Sequence, residues 1–358
     1  MMSTTLGAMD TAKVQLFGRI AAPPNVQILT WPYSGLKFAF KGSEANLSFP
    51  ITGMNAFSLS IDGGNATKIE ADVSSSSSTA SLTTGKLAQG IHVVEIHKVS
   101  EALYGTVTFT NQSITTDGFL LELARTNRKI EFVGDSITAG YGVDGTFPCT
   151  ASTATENAGK TYAALVASSF EAEASLIAWS GRGVVRNYPD ADGSDDNTPT
   201  MPVLWLQTNA LDTTPTYTFP ANQIPQVVVI ALGTNDFAYL TGPPDASGNP
   251  TASRPPITLA QYQEGISNFT EQIFQKYSEA TIFLTSSPML SDGYPAGQMQ
   301  HSTQLQALQN VAANSTKIFA VDFPAQGSQV GCDYHPTAAT HQQMADILAP
   351  AIQKQLSW

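Results

Sequence analysis

The hydrophobic period of this chain changes once, near residue 125, and that change limits the folds open to it. Before it, short runs alternate apolar with other side chains: Leu36-Lys37-Phe38-Ala39-Phe40, Phe57-Ser58-Leu59-Ser60-Ile61, Ile91-His92-Val93-Val94-Glu95-Ile96 and Val107-Thr108-Phe109. A repeat of two puts alternate residues on one face of a strand. Asp62-Gly63-Gly64, after the second run, is a hairpin-turn signal. No helical segment interrupts these runs, so residues 1–124 are expected to form an antiparallel β-sandwich. Ser74–Ser78 is a serine tract and reads as a surface loop.

From residue 125 to residue 358, short apolar runs alternate with helical-period segments. Ile130–Val133, Ser175–Trp179, Val227–Leu232, Thr281–Leu284 and Lys317–Val321 read as five strands. The third is apolar throughout, as a strand covered on both faces should be. Between and after them, Lys160–Phe170, Leu259–Tyr277, Gln300–Ala313 and Ala338–Gln355 read as helices. The first would bury Tyr162, Leu165, Val166, Ser169 and Phe170; the second, Tyr262, Ile266, Phe269 and Ile273. This alternation predicts a five-stranded parallel sheet with helices on both faces, an α/β/α domain.

Ligands of open parallel sheets sit at the carboxyl ends of the strands. Those ends carry Gly134-Asp135-Ser136, Ser180-Gly181-Arg182-Gly183, Gly233-Thr234-Asn235-Asp236 and, after a loop, Gly331-Cys332-Asp333-Tyr334-His335-Pro336. A hydroxyl, a close-approach glycine, an amide and an imidazole are the parts of acyl transfer. Ser136 is the candidate nucleophile and His335 its general base, since imidazole exchanges protons near neutrality. The Ser136 and Gly181 backbones and the Asn235 amide are candidate oxyanion donors. Asp135 and Asp236 read as a helix cap and a loop brace.

Composition removes several other functions. The net charge of -12 repels nucleic acid and anionic lipid. No stretch approaches the roughly 18 apolar residues of a membrane span. Two isolated cysteines, Cys149 and Cys332, make no metal pattern, and neither a metal nor a cofactor is expected. Residues 1–13 carry no basic segment followed by an apolar run, so no signal peptide is visible. Secretion is expected instead from low Lys and Arg content, abundant Ser and Thr, and Asn-X-Ser/Thr sequons at Asn46, Asn65, Asn111, Asn268 and Asn314. With no obvious exposed apolar helix, a monomer is the default.

The four blocks match, in order, those of the SGNH hydrolases. Gly-Asp-Ser-Ile-Thr-Ala-Gly-Tyr-Gly at 134–142, Ser-Gly-Arg-Gly-Val-Val-Arg-Asn-Tyr at 180–188, Leu-Gly-Thr-Asn-Asp-Phe at 232–237 and Gly-Cys-Asp-Tyr-His-Pro at 331–336 resemble carbohydrate esterase family 2. The resemblance covers nearly the whole chain. It implies a jelly-roll sandwich before an SGNH domain, and an acetyl xylan esterase-like activity on acetylated xylan or mannan. It also implies an acetyl-serine intermediate, no metal, and a capacity for acetyl transfer to sugar hydroxyls.

One departure matters. Most SGNH enzymes place an orienting Asp three residues before the His; here that position is Cys332, and Asp333 lies two before. In an extended segment Asp333 and His335 would share a side, which would complete a triad. The alternative is a backbone carbonyl near Cys332 orienting the ring. Cys149 and Cys332 are expected to join in a disulfide between the nucleophile and base loops, the alternative being two buried thiols. Arg182, Phe237 and Tyr334 are the candidate substrate contacts, with Arg186, Tyr188 and Trp205 also flanking the motifs. Two other functions remain open at this point: a general or lipase-like SGNH esterase, and a carbohydrate-binding protein with a vestigial hydrolase domain.

Overall fold

The alternating runs before residue 125 become antiparallel strands. The computed structural model describes residues 12–20, 26–71, 78–110, 112–190, 192 and 198–358. In it the first strands are β1 (Val14–Phe17), β2 (Gln27–Leu29), β3 (Gly35–Gly42), β4 (Ala45–Pro50), β5 (Asn55–Ile61) and β6 (Thr67–Ala71). They are followed by β7 (Thr79–Thr83), β8 (Gly90–Lys98), β9 (Val107–Phe109), β10 (Ile114–Thr116) and β11 (Phe119–Leu121). One sheet runs β1-β3-β8-β5-β6 with β11 on β3; β10-β4-β7 and β2-β9 form two smaller ones. Asp62 and Gly63, at φ 54° and 71°, make the turn between β5 and β6, the left-handed pair that a tight hairpin requires. Between the sheets lie Phe38, Phe40, Phe57, Val94 and Ile96 from the large one, and Leu47, Phe49, Leu82 and Phe109 from the smaller ones. Ser74–Ser77 of the expected serine loop lie outside the described residues.

The second half contains the strands β12 (Lys129–Gly134), β13 (Glu173–Ala178), β14 (Val227–Ala231), β15 (Thr281–Thr285) and β16 (Ile318–Val321). All pair in parallel, in the order β13-β12-β14-β15-β16. Its helices are α1 (Ser136–Ala139), α2 (Tyr162–Ser169), α3 (Met201–Leu204), α4 (Thr234–Phe237), α5 (Leu259–Lys276), α6 (Gln300–Ala312) and α7 (Ala338–Leu356). Alternation along the strands divides the core in two. Val227 and Val229 face α2 and α7, with Tyr162, Val166, Leu348 and Ile352. Val228 and Ile230 face α5 and α6, with Ile266, Phe269, Ile273 and Leu308. The order places the neighbours β12 and β14 at the point where the sheet reverses its build, where a crevice opens beyond the strand ends.

One expected helix face needs correction. Ser169 is exposed, whereas Ala163, Ala164 and Ala167 of α2 are buried beside Tyr162 and Val166. The helix is covered by α7 as well as by the sheet, so small residues line a wider buried stripe than a one-sided helix has.

Buried polar contacts join the halves. The Arg19 guanidinium, 1% exposed, bonds both oxygens of Glu131 on β12 at 3.0 and 3.1 Å and lies 4.0 Å from the Tyr217 ring centroid. The Trp31 indole N–H donates to the Thr208 carbonyl at 2.9 Å. Lys68 Nζ reaches Asp144 Oδ2 at 3.2 Å and the Glu156 carbonyl at 2.7 Å.

Candidate active site

Ser136 opens α1 directly after β12. Asp135 caps the helix, its Oδ1 accepting the Ile137 N–H at 3.0 Å. The first N–H groups of a helix lack intrahelical acceptors, so the Ser136 N–H is offered outward beside its own hydroxyl. Gly140 closes the short helix at φ 88°, and a side chain there would strike the Asn157 backbone at 2.5 Å. The glycine therefore lets the turn pack against the following loop.

His335 Nε2 lies 2.8 Å from Ser136 Oγ, within reach of a nucleophile and its base. Its Nδ1 lies 3.1 Å from the backbone carbonyl of Asp333. The Asp333 carboxylate points elsewhere and accepts the Tyr141 hydroxyl at 2.7 Å. The expectation of a carboxylate behind the imidazole is thus corrected. Residues 332–334 form a 3₁₀ turn with Asp333 and Tyr334 left-handed, at φ 48° and 63°. The segment is not extended, and the alternation that would have put the Asp333 side chain beside His335 does not apply. The orienting carbonyl is that of Asp333 itself. Burial pushes the imidazolium down to about 4, against the carbonyl and carboxylate of Asp333, which favour it. The ring is therefore neutral near pH 7, the form that accepts a proton from a hydroxyl.

The base loop is held to the nucleophile loop. Cys149 and Cys332 are disulfide-bonded, with their Cα atoms 4.6 Å apart. Around the bond, Asp333 N–H donates to the Cys149 carbonyl at 2.9 Å and Cys332 N–H to Gly142 at 3.2 Å. A Cβ on Gly145 would meet Cys332 Sγ at 2.2 Å, so only glycine fits beside the bridge.

Gly181 follows β13 at φ 79°, a left-handed conformation that favours glycine. Asn235, in α4 after β14, donates through Nδ2 to the Arg182 carbonyl at 2.9 Å. The same Nδ2 lies 3.4 Å from Asp135 Oδ2, which is long for a hydrogen bond, and Asn235 lines the crevice. Asp236 braces the Gly181 loop: its carboxylate takes the N–H groups of Val184, Val185 and Arg186 at 2.9, 2.7 and 3.0 Å. Burial pushes this carboxyl up against those bonds, and it pushes Asp135 up to about 7. The expected cap and brace are both present.

A cavity of about 640 Å³ brings Ser136, Gly181, Asn235 and His335 together, along with Phe237 and Tyr334. Arg182 is not among its lining residues; its guanidinium lies 5.7 Å from the Trp179 ring centroid. Trp205 and Arg186 are also structural. Trp205 is fully buried and bonds Glu131 Oε1 at 2.7 Å, and Arg186 donates to the carbonyls of Asp236 and Pro255 at 2.7 and 2.8 Å. The cavity adds residues that were not singled out in the sequence: Tyr141, Ser180 and Tyr294. Tyr141 lies in the Gly-Asp-Ser block and packs its ring, tilted by 35°, against His335 at 4.2 Å between centroids, so its position in that motif was the available signal. Tyr188, Tyr294 and Tyr334 are 54, 61 and 60% exposed, leaving aromatic faces open at the cavity mouth. Among the described residues no cluster of three His, Cys, Asp or Glu side chains forms a metal site, and no helix is long and apolar enough to cross a membrane.

Comparison with known proteins matches this geometry. Residues 132–343 match the GDSL-like lipase/acylhydrolase family, and residues 16–123 match the carbohydrate esterase 2 N-terminal family. The cellulase/esterase CelE of Acetivibrio thermocellus is 33% identical over 94% of the chain, which spans 38% of that protein's length. An acetylxylan esterase/glucomannan deacetylase of Cellvibrio japonicus is 27% identical over the whole chain and 93% of its own length. A Corynascus thermopiles (Myceliophthora fergusii) family 2 carbohydrate esterase with a carbohydrate-binding domain superposes with a TM-score of 0.87 at 40% identity, covering 96% of this chain and 100% of that one. A Clostridium thermocellum family 2 esterase in complex with cellohexaose gives 0.82 at 29% identity, covering 96% and 99%. With an N-terminal family 2 match ahead of a GDSL-like match, and a family 2 esterase 40% identical that covers 96% of its length, the chain belongs to carbohydrate esterase family 2.

Proposed function

We propose that this protein is a serine esterase that removes O-acetyl groups from plant polysaccharides such as acetylated xylan or mannan. The observation that carries the reading is the Ser136 Oγ to His335 Nε2 contact of 2.8 Å at the base of an open cavity. Ser136 attacks the acetyl carbonyl as His335 takes its proton. The Ser136 and Gly181 N–H groups and the Asn235 amide receive the oxyanion. His335 then protonates the leaving sugar oxygen, and water or a second sugar hydroxyl resolves the acetyl-serine. The relatives' names, acetylxylan esterase and glucomannan deacetylase, support the substrate class, as does a related esterase bound to cellohexaose.

The open tyrosines at the mouth, with Phe237 behind them, suit the apolar faces of sugar rings. The working division of labour is a sandwich at 1–124 and a catalytic domain at 125–358. The protein acts as a secreted monomer; its disulfide supports an oxidising compartment.

Acetate release from acetylated xylan and acetylated mannan, with wild type beside Ser136→Ala, tests the reading. Release lost in the folded variant is the expected result. A folded wild type that releases no acetate from either polymer overturns it.

A further inference from the structure

Glu101 belongs to the sandwich half, and its side chain is 1% exposed. It ends against the active site. Glu101 Oε2 accepts the Ser180 N–H at 2.7 Å and Oε1 accepts the Ser180 hydroxyl. Ser180 lines the catalytic cavity and is bonded in sequence to Gly181. One carboxylate therefore holds the backbone N–H and the hydroxyl of the residue before the left-handed oxyanion glycine.

The backbone that carries this carboxylate is itself anchored. The Glu101 N–H donates to Glu156 Oε1 at 2.5 Å. Lys98 Nζ, also buried, donates to the carbonyls of Ser100 and Glu101 at 2.6 and 2.8 Å. Behind it, Ala158 N–H donates to the Val99 carbonyl at 2.9 Å and Val99 N–H to Ala56 at 2.8 Å. The strand leading to Glu101 is thus clamped between the sandwich and the loop after the nucleophile. Burial pushes Glu101 up to about 7 in spite of its bonds to Ser180 and the charges of Lys98 and Arg182. A buried carboxylate is costly, and at this position its side-chain bonds go to Ser180.

We infer that Glu101 is a positioning residue for ester hydrolysis, supplied by the sandwich, which fixes the Ser180-Gly181 backbone so that the Gly181 N–H meets the oxyanion. It touches no substrate. Its effect belongs to the transition state, where the carbonyl oxygen gains charge, and not to ground-state binding.

The inference rests on the esterase reading, and the experiment separates the two. Glu101→Ala, Glu101→Gln and wild type are compared for kcat and KM on a soluble acetyl ester, and for affinity toward a boronic acid that forms a tetrahedral adduct on serine. Loss of an oxyanion donor costs about 10²–10³ in rate; misaiming one is expected to lower kcat by about tenfold or more. KM should stay within about twofold, and boronate affinity should fall with kcat. Glutamine keeps an acceptor for the Ser180 N–H and a polar partner for its hydroxyl, so Glu101→Gln should recover most of the rate. A folded Glu101→Ala with wild-type kcat, or a loss confined to KM, overturns the inference. Should Glu101→Ala fail to fold, Glu101→Asp, one methylene shorter and so withdrawn from Ser180, takes its place, and wild-type kcat in that variant overturns the inference. An inactive wild type would instead remove the esterase reading, and this inference with it.

Discussion

Replacing Asp333 by asparagine separates the two ways of orienting His335. Where a carboxylate stands behind the catalytic imidazole, Asp-to-Asn costs about 10⁴ in kcat, because the wrong tautomer is held. Here Nδ1 faces the Asp333 backbone carbonyl at 3.1 Å, while the carboxylate faces Tyr141 at 2.7 Å. Asparagine retains that carbonyl. It also retains a side-chain oxygen for the Tyr141 hydroxyl. It tolerates the left-handed φ of 48°, which alanine would resist by about 1 kcal/mol or more. What is lost is one negative charge that modestly favours the imidazolium. The expected loss in kcat/KM is therefore within about tenfold, or about 1.4 kcal/mol. The assay is initial-rate hydrolysis of an acetyl ester, with folding checked by circular dichroism. Asp333→Ala, which strains the loop, should lose more than Asp333→Asn. A loss of about 10³ or greater in Asp333→Asn would show that the carboxylate serves the imidazole and would refute the carbonyl assignment.

The pH dependence has a definite sign. His335 must be neutral to accept the Ser136 proton, and burial places its transition at about 4. The acid limb of kcat/KM, which reports the free enzyme, should rise with pH through about 4 and be flat by about 6; a limb near the ordinary 6.5 would contradict the buried base. The disulfide spans 183 residues of sequence, so chain entropy sets its maximum contribution at about 5 kcal/mol. The double variant Cys149→Ser/Cys332→Ser should unfold at lower urea and also lose kcat, because Asp333 N–H hangs on the Cys149 carbonyl. An unchanged urea midpoint counts against the bridge as a stabiliser.

Much of the site was legible because parallel sheets put chemistry at strand ends and the groups follow one another in chain order. Ser136, Gly181, Asn235 and His335 each stand within a few residues of a strand or loop end, so reading the strands located them. Tyr334, from the same motif loops, stands exposed at the cavity, whereas Phe237 lines it but is 4% exposed and packs on Tyr262. The errors share a cause. Assigning the Asp333 carboxylate to His335 assumed extended chain, and the left-handed turn at 333–334 reverses that geometry. Arg182 sits beside the oxyanion glycine in sequence, yet its guanidinium lies over Trp179. Ser169 had the right helical spacing but the wrong surroundings. Local turns and tertiary packing decide such side-chain directions, and neither leaves a periodic trace.

Glu101 is the extreme case, since it meets Ser180 across 79 residues of sequence and between two halves of different period. Interfaces between domains of one chain are usually polar and allow relative motion. This one buries charge. Arg19, 1% exposed, crosses from the first half to Glu131 on β12, an inner strand of the parallel sheet. Parting the halves would leave each charge without its partner, and removing one member of a buried pair costs about 3–5 kcal/mol. Lys68 makes a second crossing to Asp144 and the loop before α2. A sandwich pinned at both places cannot swing freely, and a rigid attachment is what Glu101 needs if it is to hold Ser180 in register. The same contacts argue that the second half, cut free, would lose more than a neighbour. Its strand β12 would carry Glu131 without Arg19, and its oxyanion loop would lack the carboxylate behind Ser180.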